Sequence, residues 1–294
     1  MAFAISWTPV MAEPAAPPIL DVADLKVSFP REGAGDVIVL HGVSFKVGVE
    51  RVAIVGESGS GKTMTARAIM GLVPPPGRVG ARRLVLDGID LAAADARSWN
   101  RIRGAKVGLV LQDPRFALNP LHTVGRQVEE PLLLHTKLSR SERRERALAM
   151  LAAVGLDNPR EVYRLYPGEL SGGMGQRVMI ATMLICGPRL LIADEPTSAL
   201  DHDLRDQILA LLARLAEEHA MGLLLISHDL QQVAQFADRV LVMYGGRVVD
   251  ERPASELSHS TEPYTRTLWS CRPSAATYGT RLPTLNRADL EVQA

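Results

Sequence analysis

Cysteine is nearly absent. The chain of 294 residues holds two, Cys186 and Cys271, far apart and with no partner spacing. That argues against a disulfide scaffold, a zinc site or an iron–sulfur cluster, and it fits a reducing cytoplasm. Long apolar runs are missing as well. None approaches the roughly 18 residues that a bilayer-spanning helix needs. The N-terminus has no basic stretch, and Pro9 interrupts its only apolar one, so no secretory signal is expected. Net charge is missing too: 33 Lys and Arg balance 33 Asp and Glu. No global basic field exists to attract nucleic acid or an anionic membrane. There is no internal repeat. What remains is 47% apolar content, enough for a sizeable core in one large or two small domains.

The organising stretch runs from Val55 to Thr65. Gly56, four residues and then Gly61-Lys62-Thr63 make a complete phosphate-binding loop pattern. Arg51 to Val55 before it reads as a buried strand, and the apolar residues from Met64 to Leu72 read as a helix. The glycines let backbone N–H groups turn inward on a phosphate, and the helix N-terminus adds partial positive charge. The expected nucleotide contacts are Gly56, Glu57, Ser58, Gly59, Ser60, Gly61, Lys62, Thr63 and Thr65. Lys62 is placed for the β- and γ-phosphates and Thr63 for Mg²⁺.

Leu190 to Ala193 is an apolar strand ending in two carboxylates. Asp194 at the strand's end is placed to hold Mg²⁺ through water, and Glu195 to polarise the attacking water, as general base or by hydrogen bonding. Leu170-Ser171-Gly172-Gly173-Met174-Gly175 is a second glycine-rich segment, opening a helix expected over Val178 to Leu184. It offers N–H groups and a hydroxyl to an anion. One γ-phosphate does not need two such cradles from one subunit, so this one is expected to serve a nucleotide held by another subunit.

Around these motifs the chain alternates strands and helices, which implies a mainly parallel sheet covered on both faces. Strands are expected over Ile19–Phe29 and Val37–Val49, with Val43, Phe45 and Val47 on one face and a turn over Arg31–Gly35. Arg83 to Leu86 reads as a strand running into an Asp87-Gly88 turn. From about Asp113 to Arg189 the chain is mostly helical. One helix is expected over Thr123–His135, broken near Pro131. Another covers Ser139–Val154, capped by Ser139 or Ser141 and ended by Gly155. The mixed charges from Arg140 to Arg146 read as a solvated helix face. Beyond Pro253 the pattern weakens, and after Pro273 it is a polar tail.

The order of these motifs resembles the ABC ATPases, and Ser171-Gly172-Gly173 resembles their signature, which closes over the ATP of the opposite protomer. The resemblance covers roughly Ile19 to Ser270. It implies an α/β P-loop NTPase core of the ABC type, with an antiparallel β subdomain and a helical insert. It implies that Gln112 is the glutamine that touches Mg²⁺ and the water and borders the membrane partner. Ser198-Ala199-Leu200-Asp201 then matches the loop linking the two sites, with Asp201 beside the nucleotide. His228 matches the histidine that contacts the γ-phosphate, and Phe29 the aromatic that stacks on adenine. The implied cofactors are ATP and Mg²⁺, with Thr63, Gln112 and Asp194 around the metal and Glu195, His228 and Gln112 in catalysis.

Within that family the chain resembles the ATPases of dipeptide, oligopeptide and nickel importers. The stretches that carry this are Val55 to Lys62, Gln112-Asp113-Pro114 with Ala117-Leu118-Asn119-Pro120, Thr123-Val124-Gly125, Tyr166-Pro167 before Leu170-Ser171-Gly172-Gly173-Met174, the block Gln176-Arg177-Val178-Met179-Ile180-Ala181, Pro263-Tyr264-Thr265 with Leu268, and Arg281-Leu282-Pro283-Thr284. Leu285-Asn286 stands where Pro-Gly is usual, and Cys271 alone cannot supply the cysteine cluster of some members. The division implied is a disordered leader over 1–18, an ATPase domain over 19–260 with its helical part at about 113–189, and a C-terminal extension over 261–294. Met11 is an alternative start. The expected activity is ATP hydrolysis driving peptide uptake in a bacterial importer, with nickel or another small solute as the alternative cargo. The implied partners are a second, related but different ATPase, two permease subunits and, through them, an extracytoplasmic solute-binding protein. The implied place is peripheral, on the cytoplasmic face of the inner membrane. The rival of another class is a soluble ABC ATPase acting on DNA or ribosomes; the coiled coil, zinc cysteines or second ATPase domain of such proteins are absent, and no nucleic-acid partner is expected.

Overall fold

The computed structural model describes residues 17–272 apart from Glu32 and Ala199. The expected leader, but for its last two residues, and the Arg281–Thr284 match lie outside the described residues.

A long antiparallel hairpin, β1 (Leu20–Arg31) and β2 (Ala34–Val47), opens the chain. β3 (Arg51–Val55) feeds the phosphate loop and α1 (Lys62–Ile69). β4 (Arg78–Gly80) and β5 (Arg83–Leu86) then return to pair with β1, and β6 (Ile89–Asp90) pairs with β5. After α2 (Ala96–Ile102) and β7 (Val107–Val110) come the helices α3 (Pro114–Ala117), α4 (Val124–His135), α5 (Arg140–Ala153), α6 (Pro159–Val162) and α7 (Gly172–Leu184). The α/β alternation resumes with β8 (Leu190–Asp194), α8 (His202–Glu218), β9 (Gly222–Ile226), α9 (Leu230–Phe236), β10 (Arg239–Tyr244) and β11 (Arg247–Pro253). A 3₁₀ turn and α10 (Pro263–Ser270) end the described chain.

The larger sheet has the order β11-β10-β3-β9-β8-β7. Its five strands from β10 to β7 are parallel, and β11 is an antiparallel edge. The central strands are buried on both faces, which their unbroken Val, Ile and Leu runs require. Helices α7, α8 and α9 and the other insert helices share one core with one face of the sheet, and α1 and the β1–β2 hairpin share a second core with the other. Because β3, β8 and β9 are parallel neighbours, the loops after Val55, Asp194 and Ile226 emerge at one edge.

Local chemistry explains most boundaries. Asp87 and Gly88 both have positive φ, 47° and 78°, the left-handed pair that a two-residue hairpin turn demands. Ser139 caps α5, accepting from the Glu142 N–H while Glu142 accepts from the Ser139 N–H, and Gly155 follows the helix at φ 75°.

Three boundaries differ from expectation. Helix α4 is not broken at Pro131 but runs through it to His135. A mid-helix proline costs roughly 3 kcal/mol. Val124, Val128 and Leu132 lie at spacing four on one face and are fully buried, each contributing about 1.5–3 kcal/mol, so the stripe holds the helix together. Helix α7 begins at Gly172, not Val178, because Ser171 caps it by accepting from the Met174 N–H. The hairpin strands also close further than expected, over a turn at Gly33 with φ 71°. Val43, Phe45 and Val47 are all buried, as their alternation requires. On β1 the alternation is shifted at Asp24, which has φ 54° and donates its N–H to the Ser44 hydroxyl, so that Leu20, Val22, Leu25 and Val27 all reach the core.

Candidate active site

The phosphate loop lies between β3 and α1, and its backbone needs glycine at defined points. Gly56, Gly59 and Gly61 have φ of 153°, 84° and 103°. A Cβ at Gly56 would stand 2.2 Å from the Met243 carbonyl oxygen, so β10 presses on the loop from behind. Lys62 is buried, and its ammonium donates to the Gly56 and Glu57 carbonyls at 2.8 and 2.9 Å. Burial lowers its pKa, while the carboxylates of Glu195, Asp194 and Glu57 oppose that shift. Thr65 donates its hydroxyl to the Gly61 carbonyl at 3.0 Å and is fully buried, so that hydroxyl fixes the first turn of α1. Ser58 is exposed, while Ser60 is buried and its hydroxyl has no hydrogen-bond partner. An orphaned hydroxyl inside a ring of turned glycines is what an anion cradle presents.

Across the loop, the Thr63 hydroxyl donates to Asp194 Oδ1 at 3.1 Å. Burial raises the Asp194 pKa; Glu195 beside it pushes the same way, while the Thr63 hydrogen bond, Arg67 and Lys62 oppose. A buried carboxylate held above its ordinary range is one that a cation would relieve. Thr63 and Asp194 together offer hard oxygen donors, and among the described residues no cluster of three or more His, Cys, Asp or Glu forms a closed cage. That donor set fits Mg²⁺, which keeps its waters and takes phosphate oxygens rather than a dedicated protein cage.

Glu195, the next residue, has φ 49°, a left-handed conformation that is costly for a side chain of its size. Its N–H donates to the Ile226 carbonyl at 3.0 Å, and its carbonyl accepts from the Ser198 N–H and hydroxyl. This turn aims the carboxylate sideways: Glu195 Oε1 lies 3.4 Å from Nδ1 of His228, which follows β9. The fold thus brings a carboxylate and an imidazole together beside Lys62 of the loop.

Gln112 lies two residues past β7, whose Val110 pairs with Ala193, so it stands at the same sheet edge as Asp194; its side chain is exposed. Asp201 caps α8, accepting from the Leu204 N–H at 3.0 Å, while Ala199 beside it lies outside the described residues. Phe29 is half-buried in β1 with its ring against Gly77, so it serves the second core as well as offering a face.

The structure does not bring the second glycine segment onto this chain's own phosphate loop. Ser171 and Gly172 are exposed at the N-terminus of α7, lining a cleft of about 530 Å³ with Asp113, Pro114, Leu170 and Leu200. No phosphate-loop residue lines it. Gly173 is packed from behind: a Cβ there would meet Leu204 at 2.3 Å.

Three supports escaped the sequence reading. The fully buried Gln176 amide on α7 donates to the Pro196 carbonyl at 2.7 Å, tying the glycine segment's helix to the Glu195 turn. Arg205 on α8 pairs with Asp229, the neighbour of His228, at 3.2 Å. The Tyr264 hydroxyl, on α10, accepts from the Glu57 N–H at 2.9 Å. Gln176 and Tyr264 each stand in a stretch that the sequence marks out, with no bracing role attached to either.

The sequence profile of the ABC transporter family matches residues 40–198. The chain is 42% identical over 269 residues to a dipeptide transport ATP-binding protein, DppD, of Haemophilus influenzae, covering 91% of this chain and 81% of that relative. It is 41% identical over 264 residues to an oligopeptide transport ATP-binding protein, OppD, of Bacillus subtilis, covering 89% and 74%. Among solved structures, the dimeric post-hydrolysis state of the ATP-binding cassette MJ0796, bound to ADP and Pi, superposes with a TM-score of 0.70 at 31% identity, covering 80% of this chain and 98% of that one.

Proposed function

The chain belongs to the ABC transporter family and is an ATPase, and from that premise we propose that it powers the uptake of dipeptides or oligopeptides through a bacterial importer. The observation that carries the importer reading is the likeness to dipeptide and oligopeptide transport proteins along about nine-tenths of the chain.

Gly56 to Thr63, with Thr65, hold the triphosphate, and Phe29 offers its ring to adenine. Thr63, Asp194 and Gln112 would hold Mg²⁺, which would supply charge neutralisation at the phosphate oxygens. Glu195 orients and deprotonates the attacking water, and the 3.4 Å contact gives His228 the means to steady that carboxylate and reach the γ-phosphate. Ser171 and Gly172 are exposed at a helix N-terminus away from their own loop, which supports a pocket completed by a second ATPase chain, with Asp201 at the junction. That second chain is related but different.

Two permease subunits, and a solute-binding protein reached through them, complete the proposed assembly. Phe116, Leu121 and Leu134 stand more than two-thirds exposed, all within 22 residues of Gln112, where a membrane subunit would dock. Among the described residues no helix is long and apolar enough to cross a membrane. The proposed place of the chain is peripheral, on the cytoplasmic face of the inner membrane, held there by its permease contact. The domain division is proposed as expected: the ATPase unit over 19–260, its helical part at about 113–189, and the extension from 261.

The test is uptake. Cells from which this chain alone is deleted should lose ATP-dependent import of labelled dipeptide and tripeptide, and regain it from a plasmid copy. Unchanged peptide import, with loss of nickel or another small solute instead, overturns the peptide reading.

A further inference from the structure

Tyr264 lies outside everything the proposed mechanism uses, yet it touches the phosphate loop. Its side chain is only 3% exposed, its ring lies 4.7 Å from that of Tyr244, and its hydroxyl accepts the Glu57 N–H at 2.9 Å. The contact spans 207 residues of sequence. It is firmly mounted. Glu262 caps α10 by accepting from the Tyr264 and Thr265 N–H groups, and its own N–H donates to the Ser260 hydroxyl. Ser260 in turn donates to Asp250 on β11 at 2.6 Å. Leu268 and Trp269 pack the helix onto the core. A chain of short links thus runs from the sheet edge through α10 to one peptide group of the loop.

That peptide group, between Gly56 and Glu57, is held at both ends: the Gly56 carbonyl accepts from Lys62 at 2.8 Å, and the Glu57 N–H is held by Tyr264. Lys62 has three N–H donors, so one remains for a phosphate beside its bonds to the Gly56 and Glu57 carbonyls. The Glu57 carbonyl also accepts from the Ser60 N–H at 3.2 Å, whereas among the described residues the Tyr264 hydroxyl is the side-chain partner of the Glu57 N–H. The strut thus ties the loop that faces the phosphate to the far segment of the chain. Burial holds the Tyr264 phenol up at about 12, so the hydroxyl keeps its proton across any working pH.

We propose that Tyr264 is a positioning residue for ATP binding, through which the segment beyond residue 260 sets the geometry of the phosphate loop. This rests on the reading that Gly56 to Thr63 bind the triphosphate. Tyr264→Phe keeps the ring and its packing and removes only the acceptor. The Glu57 N–H of this exposed residue then loses its fixed partner, and the loop must be reordered at each binding event.

The experiment uses the full chain, with MgATP as the probe, and compares the parent with Tyr264→Phe. The expected result is an ATP Kd raised by about five- to tenfold. The kcat at saturating ATP should stay within about twofold, and the melting temperature without nucleotide should hardly move. An unchanged Kd overturns the proposal, and so does a melting temperature that falls while Kd stays put. Hydrogen exchange at the Glu57 amide of the parent gives a second reading that needs no variant. The amide should be protected in MgATP, and free exchange there overturns the proposal. If the parent itself fails to bind MgATP, the phosphate-loop reading has failed instead.

Discussion

The Thr63 hydroxyl and Asp194 Oδ1 lie 3.1 Å apart across 131 residues of sequence, joining the start of α1 to the end of β8. Asp194 takes this position against its own solvation, since burial and Glu195 both raise its pKa. A raised carboxyl pKa means that stability is full below the ordinary value of 3.8 and is lost as pH rises through the raised one. Asp194→Asn should therefore raise the melting temperature of the nucleotide-free chain at neutral pH, and the gain should shrink as pH falls towards 3.8. The same variant should lose Mg²⁺-dependent stabilisation by ATP. Melting curves from pH 4 to 8, with and without MgATP, check both signs; a neutral-pH melting temperature below the parent's contradicts the account.

Gly173 gives a second prediction, because its Cβ would meet Leu204 at 2.3 Å. Gly173→Ala should cost about 1–3 kcal/mol of stability and reduce ATP hydrolysis, since the strain falls between the glycine segment and the Asp201 helix. The obstruction is a side-chain tip, so adding Leu204→Ala should restore part of the loss. Urea unfolding and ATPase rates of the single and double variants decide it; strictly additive losses would count against the contact.

A third concerns the helical insert. Ser139→Ala removes one half of the reciprocal cap on α5 and should cost about 1 kcal/mol. Chemical denaturation measures it directly, and ATP affinity should stay at the parent value.

Legibility in the sequence followed the range of the interaction. The phosphate loop, the Asp87-Gly88 turn, the Ser139 cap and the carboxylates at the end of β8 were all readable, because neighbours in sequence build them. Pro131 misled because its helix is held by buried Val128 and Leu132, a tertiary effect that outweighs a local rule. The shift at Asp24 on β1 depends on the Ser44 hydroxyl of the partner strand. The links of Gln176 to Pro196, Arg205 to Asp229 and Tyr264 to Glu57 join distant stretches. No spacing rule finds such links. The members of the site were thus visible as motifs, while the struts that hold them were visible only in the fold.

The mechanism turns on Glu195 as the hydrolytic carboxylate, brought towards His228 by its left-handed backbone. Glu195→Gln keeps the size and the hydrogen-bonding reach of the side chain and removes its basicity. The most direct measurement is MgATP hydrolysis by this variant together with its ATP-dependent association, using the purified partner ATPase or the chain alone. Hydrolysis should fall by two orders of magnitude or more, about 2.7 kcal/mol or more of barrier, while ATP stays bound and the closed dimer accumulates. Hydrolysis at the parent rate, with no trapped dimer, would contradict it.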